Sequence, residues 1–167
     1  MTLLHRTALA VALLAAAPSV FAGTDSANLN VRLRVDNSCT IGTNLLNFGN
    51  TTSLATQIDA ATTVNVTCTG ISPLTLKFGL GNGAGATFGA RKMTDAVSTQ
   101  TVDYSLYTTA TRTQVLGDGT GTTGVLTRTS TGGGVVETFD IYGRVAGGQG
   151  LKPAGTYSDT VVATVEF

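Results

Sequence analysis

The chain has 167 residues, with ten basic and ten acidic side chains, a single histidine, and only 12% charged residues. That length fits one domain, and charge this sparse and balanced leaves no basic patch for a nucleic acid or an anionic membrane surface. Abundant glycine and hydroxyl side chains with few ions are usual in secreted all-β proteins.

Taken in chain order, the first segment reads as an export signal rather than as part of the fold. Residues 1–22 open with a short basic region (His5, Arg6), continue with an apolar run from Ala8 to Ala17, and close on Val20-Phe21-Ala22. This is the pattern of a signal peptide cleaved after Ala22. The apolar run of about ten residues is too short to cross a bilayer as a helix, which argues against a membrane anchor. No later run is apolar enough to span, so the exported chain is expected not to be integral to a membrane. Cleavage leaves about 145 residues, enough for one core, and removes His5. Without histidine the remaining chain has no Ser-His-Asp or Cys-His nucleophile. It also has no S-x-x-K pattern, so an enzyme is not expected and no catalytic residue is assigned.

Beyond Ala22 there is no sustained helical stripe. Short alternating runs recur instead, as half-buried strands require. Asn28 to Val35 places Leu29, Val31, Leu33 and Val35 on one face, with Asn28, Asn30, Arg32 and Arg34 on the other. The same alternation puts Val64, Val66 and Cys68 together, then Leu74, Leu76 and Phe78, then Val102, Tyr104 and Leu106. Phe139, Ile141 and Val145 share a face with Gly143 between them, and Val161, Ala163, Val165 and Phe167 form the last row. Glycine-rich turns at 79–89, 117–119 and 131–134, and Lys152-Pro153-Ala154-Gly155, separate these runs. About seven short strands with turns between them predict an all-β sandwich of immunoglobulin-like type.

Few motifs invite chemistry. The glycines from Gly79 to Gly85 lack the Lys-Ser/Thr and the helix of a phosphate loop, and read as a hairpin. Asp118 between two glycines is one carboxylate where calcium needs six to eight oxygens, so it reads as a turn. Asp103, Glu137 and Asp140 read as solvated strand residues, not a catalytic pair. No cofactor and no metal is called for. Cys39 and Cys68 remain after export to an oxidising compartment, where two cysteines allow one pairing, and a disulfide is expected between them. Two thiols with no histidine make a poor metal site. For the run from Leu29 to Val35, periodicity alone leaves two readings open: an ordinary first strand, or a segment donated to a neighbour.

Several short segments in order carry a resemblance. They are the N-terminal strand ending in Asn37-Ser38-Cys39-Thr40, Leu46-Asn47-Phe48-Gly49, Val64-Asn65-Val66-Thr67-Cys68, and Tyr104-Ser105-Leu106-Tyr107. Ile141-Tyr142-Gly143 and Pro153 to Thr160 follow, closing on Phe167. Over essentially the whole exported chain the sequence resembles the spore coat protein U domain family, which includes pilins of the archaic chaperone–usher pathway. The resemblance implies an incomplete immunoglobulin-like β-sandwich completed by donor-strand exchange. Residues 1–22 would be the signal peptide, 23–37 a donor-strand extension and 38–167 the pilin domain. Leu29, Val31, Leu33 and Val35 would be the donor side chains, and Val161, Ala163, Val165 and Phe167 would edge the groove. The implied partners are a periplasmic chaperone, an outer-membrane usher and other copies of this chain or related pilins, and the implied destination is a fimbrium on the cell surface serving adhesion and biofilm formation. Tip adhesins of such systems add a domain and lack a donor strand, so a shaft or adaptor subunit is the expectation. A surface binding module or a spore-coat-type structural protein are the alternatives.

Overall fold

The structure is a computed structural model and describes residues 22–167; the expected signal peptide lies almost wholly outside the described residues. The chain divides between Arg34 and Val35. In the N-terminal unit, residues 22–34 carry no strand, and all of them are exposed.

The second unit, 35–167, is all-β. Its strands are β1 (Cys39–Thr43), β2 (Ile58–Cys68), β3 (Pro73–Phe78), β4 (Arg91–Asp95), β5 (Thr101–Tyr107), β6 (Leu126–Thr129), β7 (Val136–Val145), β8 (Tyr157–Ser158) and β9 (Ala163–Glu166). They form a six-stranded sheet in the order β1-β2-β7-β5-β4-β8 and a three-stranded sheet in the order β6-β3-β9. Every pairing between these strands is antiparallel. This is the incomplete two-sheet sandwich that alternation and family resemblance predict, with more strands than the seven expected. The elements not read from alternation are β1, β4, β6 and β8, all short at five, five, four and two residues, while the run Asn28–Val35 is in no strand.

Alternation explains what is buried. Val64, Val66 and Cys68 of β2, Leu74, Leu76 and Phe78 of β3, and Val102, Tyr104 and Leu106 of β5 are all in the core, with Phe139, Ile141 and Val145 of β7. Successive strand residues point to opposite faces, so each such set meets the opposing sheet while its neighbours meet water. Gly143 sits among the inward positions of β7. A Cβ built there would lie 2.6 Å from Leu46 and 2.8 Å from Phe48. The missing side chain therefore admits the segment 44–57 onto the core, where Phe48 meets the ring of Tyr104 edge-on at 6.1 Å. Two of the segments that carry the resemblance, Leu46 to Gly49 and Ile141 to Gly143, are thus parts of one contact.

The disulfide between Cys39 and Cys68 is present. The two residues are direct cross-strand partners in the β1–β2 ladder, with Cα atoms 4.1 Å apart. Asn37, two residues earlier, fixes the entry to β1: its Oδ1 accepts from Gly70 N at 2.7 Å and from Ser38 N at 3.0 Å, and its Nδ2 donates to Ser72 Oγ at 2.8 Å.

Glu137 corrects an expectation. It is not solvated but 8% exposed, its Oε1 accepting from the amide and hydroxyl of Thr131 at 2.9 and 2.7 Å. These donors hold its carboxyl below the usual range, and nearby Arg128 acts in the same sense. The strand pattern puts Glu137 on the inward face, where a carboxylate persists only with such partners. Asp103 is half-buried and paired with Lys92 at 2.8 Å, while Asp140 is exposed as expected. Asp118 is a turn residue, accepting from the amide of Thr120 at 2.9 Å.

Two stability predictions follow from this packing. Gly143→Ala is expected to cost about 1–3 kcal/mol through overpacking against Leu46 and Phe48, read as a lower midpoint in chemical denaturation of the folded domain. Replacing Cys39 and Cys68 together by serine is expected to cost roughly 3.5 kcal/mol by the loop-closure estimate, and the reduced wild type should show the same loss.

Candidate assembly site

Two strands of the sandwich end their sheets side by side. β1 is the outermost strand of the large sheet and β9 of the small one; among the described residues each is paired on one flank only. Their Cα atoms come within 8 Å, yet no ladder joins them.

The side chains along these edges face inward without being covered. Ile41 of β1 lies opposite Val66 in register; Val66 is fully buried, but Ile41 is 38% exposed. Val165 lies opposite Leu76 and Ala163 opposite Phe78; both partners are buried, while Val165 and Ala163 are only half-buried. Val161 is likewise half-buried, and Phe167 is 53% exposed. The core thus thins out across β1 and β9, whose inward apolar side chains are only partly covered. The outer face of β9 is polar: Thr164 and Glu166 point away, and Glu166 pairs with Lys77 of β3 at 2.6 Å.

Sequence reasoning placed Val161, Ala163, Val165 and Phe167 on one face; Ala163 and Val165 lie in β9, while Val161 and Phe167 fall just outside its ends. It did not find Ile41. Gly42 and the threonines flanking Ile41 and Gly42 hide the pattern, and only the register with β2 shows which face is inward. Leu29, Val31, Leu33 and Val35 are each at least 85% exposed and belong to no strand.

Sequence reasoning also missed the polar clasp at the other end of the small sheet's connections. Asp159 accepts at Oδ2 from the Tyr104 hydroxyl at 2.8 Å and at Oδ1 from the amides of Asn82 and Thr160 at 2.7 and 2.8 Å. It pins the glycine-rich loop 79–89 to β5 and to the segment leading into β9. Beneath it, Arg91 is fully buried and donates to the carbonyls of Gly79, Phe88 and Leu116 at 3.0, 3.0 and 2.8 Å. Burial pushes its guanidinium below the ordinary value, opposed by Tyr104 and Asp159. Strand alternation placed Tyr104 inside, but nothing in the sequence marked Asp159 as its partner. No cluster of three or more potential metal ligands occurs among the described residues, and no helix among them is long and apolar enough to cross a membrane. An open cleft is lined by Thr108, Arg128, Asp140 and Tyr142.

The chain belongs to the Spore Coat Protein U domain family, whose model matches residues 25–164. "Protein U" of Myxococcus xanthus is 36% identical over 160 residues, covering 87% of each chain. The fold is similar to that of a chain in the crystal structure of the CsuC–CsuE chaperone–tip adhesion subunit pre-assembly complex from the archaic chaperone–usher Csu pili of Acinetobacter baumannii. The TM-score is 0.57 at 18% identity, over 80% of this chain and 40% of that one.

Burial raises the pKa of the Tyr104 hydroxyl far above its ordinary value, and its bond to Asp159 adds to the rise. A raised folded-state value means the folded chain holds the proton that the unfolded chain releases near pH 10, so stability falls as pH climbs above about 10. Tyr104→Phe should flatten this alkaline loss while costing about 1 kcal/mol at neutral pH, measured as denaturation midpoints across pH 7–11.

Proposed function

We propose that the chain is a structural subunit of a chaperone–usher surface fibre and polymerises by strand donation. The observation that carries the reading is a match of two rows. Leu29 to Val35 is a seven-residue segment with apolar side chains at alternate positions, exposed and in no strand. Val161 to Phe167 is a seven-residue row with the same alternation, half-covered and unpaired on one flank. Each spans roughly 23 Å when extended. A segment from one copy laid between β1 and β9 of another would gain backbone hydrogen bonds from two open edges and would cover Ile41, Val161, Ala163 and Val165.

Three further points support this reading. The family model begins at Asp25, so the N-terminal segment belongs to the family's domain rather than to an appended tail. The similar Csu chain comes from a complex with a chaperone, which fits an open edge that must be shielded before assembly. Arg32 and Arg34 alternate with the apolar donors and would face outward, leaving no charge to bury. On this reading residues 1–22 are the export signal, 23–37 the donated extension and 38–167 the accepting domain. The partners are a periplasmic chaperone, an outer-membrane usher and further copies, and the destination is the cell surface, where the fibre would serve adhesion and biofilm formation.

The test is Leu33→Asp. A buried unpaired carboxylate costs several kcal/mol, so fibres should be lost while the chaperone-bound subunit is still recovered, folded and oxidised. Arg32→Ser should assemble nearly as the wild type does. Loss of the chaperone-bound subunit as well would show that Leu33 belongs to its own domain's core, and normal fibres would show that it enters no groove.

A further inference from the structure

The sandwich has a second gap, at β6 and β7, at the opposite end of the small sheet from β9. β5 pairs with β7 only over Tyr142 to Val145. After Tyr107 the chain leaves the ladder and turns back on itself, with Thr108 N donating to Gln114 O at 3.1 Å. The stretch of β7 from Val136 to Ile141 therefore has β2 on one flank and, among the described residues, no strand on the other. The space left between this stretch, β6 and the turn after β5 is the open cleft of about 270 Å³.

Its walls are set before any ligand arrives. Arg112 has φ +54°, which is uncommon for a residue other than glycine. Its guanidinium holds the turn in that shape, Nε donating to Gly143 O at 3.2 Å and Nη1 to Ala110 O at 2.8 Å, and it lies 5.8 Å from the centre of the Tyr142 ring. On the other wall Arg128 lies over the Phe139 ring at 5.4 Å and keeps half of its side chain exposed. The polar groups between these walls lack partners. Every other strand carboxylate is engaged: Asp59 by Arg144, Asp95 by Ser98, Asp103 by Lys92, Glu137 by Thr131 and Glu166 by Lys77. The Asp140 carboxylate, with the hydroxyls of Thr108, Thr127 and Tyr142, makes no hydrogen bond among the described residues.

We propose that this cleft is a binding site for a neutral saccharide. A sugar ring has an apolar C–H face and a rim of hydroxyls, and the cleft offers a half-exposed aromatic ring beside acceptors and donors. Asp140 accepts from sugar hydroxyls, Arg128 donates to their oxygens, and the threonine hydroxyls do either. Arg128 already faces Glu137 at 3.6 Å, and Asp140 adds a second carboxylate, so no surplus positive charge is left for an anionic ligand. The volume is just under the roughly 300–1,000 Å³ of pockets that enclose a drug-sized ligand, which suits one ring of a longer glycan with its neighbours in solvent. The inference does not rest on strand donation. In a fibre joined through β1 and β9, however, each copy would carry the same cleft, and weak single sites would add up along it.

The experiment is saturation-transfer NMR on the exported chain in the form recovered from cells. The probes are the methyl glycosides of glucose, galactose and mannose, with maltose, cellobiose and lactose. N-acetylneuraminic acid and choline serve as an anionic and a cationic control. At least one neutral sugar is expected to bind in the millimolar range, and both controls to bind more weakly. Asp140→Ala removes an exposed side chain with no partner, so folding is unaffected, and binding should weaken at least about tenfold with the loss of a charged acceptor. Tyr142→Leu should weaken it in the same direction. Absence of transfer to every neutral sugar would overturn the site, as would binding that Asp140→Ala leaves unchanged. Equal or tighter binding of either control would overturn the choice of a neutral ligand.

Discussion

A sandwich holds its core only where both sheets reach far enough to cover it, and here the two sheets end in the neighbouring edge strands β1 and β9. β1 and β9 close the ladders of β2 and β3 but offer nothing beyond themselves. The consequence is visible as a gradient: Val66 and Leu76 are fully buried, whereas their cross-strand partners Ile41 and Val165 are not. An open apolar edge of this kind is an aggregation hazard in any free protein, and natural sheets cover or blunt such edges. The sequence does neither on the inward face of β9, where Ala163 and Val165 stay half-buried.

The disulfide acts on the weaker of the two walls. All of β1 after Cys39 is exposed, and β1 pairs with β2 alone, so burial does little to keep it in place. A covalent tie at its first residue and the Asn37 clamp just before it hold the strand in register with β2. β9 has a different support: the Asp159 clasp fixes the chain that leads into it, and the Lys77–Glu166 pair lies on its polar side. That surface pair contributes little by itself. The two strands are thus anchored independently, one by sulfur and one by a half-buried carboxylate clasp.

Most of the fold was legible because period-two alternation is a local signal. β2, β3, β5 and β7 declare their inward faces residue by residue, and the structure buries the same side chains. The disulfide was legible from the count of cysteines and the expectation of export. What was not legible depends on partners distant in sequence. Arg91 reads as an ordinary charge until Gly79, Phe88 and Leu116 are seen to turn their carbonyls toward it. Glu137 looks solvated until Thr131 is found beside it. Ile41 lies in a run with glycine and threonine, and its inward direction follows only from pairing with Val66. At the candidate site, the C-terminal row was readable from alternation, but the opposite wall was not.

The family segments acquire a physical meaning once they are placed. Gly143 leaves the space that Leu46 and Phe48 occupy, Phe48 meets Tyr104, and Tyr104 bonds Asp159. Segments separated by up to 113 positions, from Leu46 to Asp159, therefore form one continuous chain of contacts through the core. That chain starts from the segment after β1 and ends at the segment before β9, the two strands that flank the opening. Separate short motifs can persist in a sequence because each is needed to hold the next, and what they jointly position is the pair of unpaired edges. A core arranged this way is held together across both sheets although the inward side chains of β1 and β9 are only partly covered.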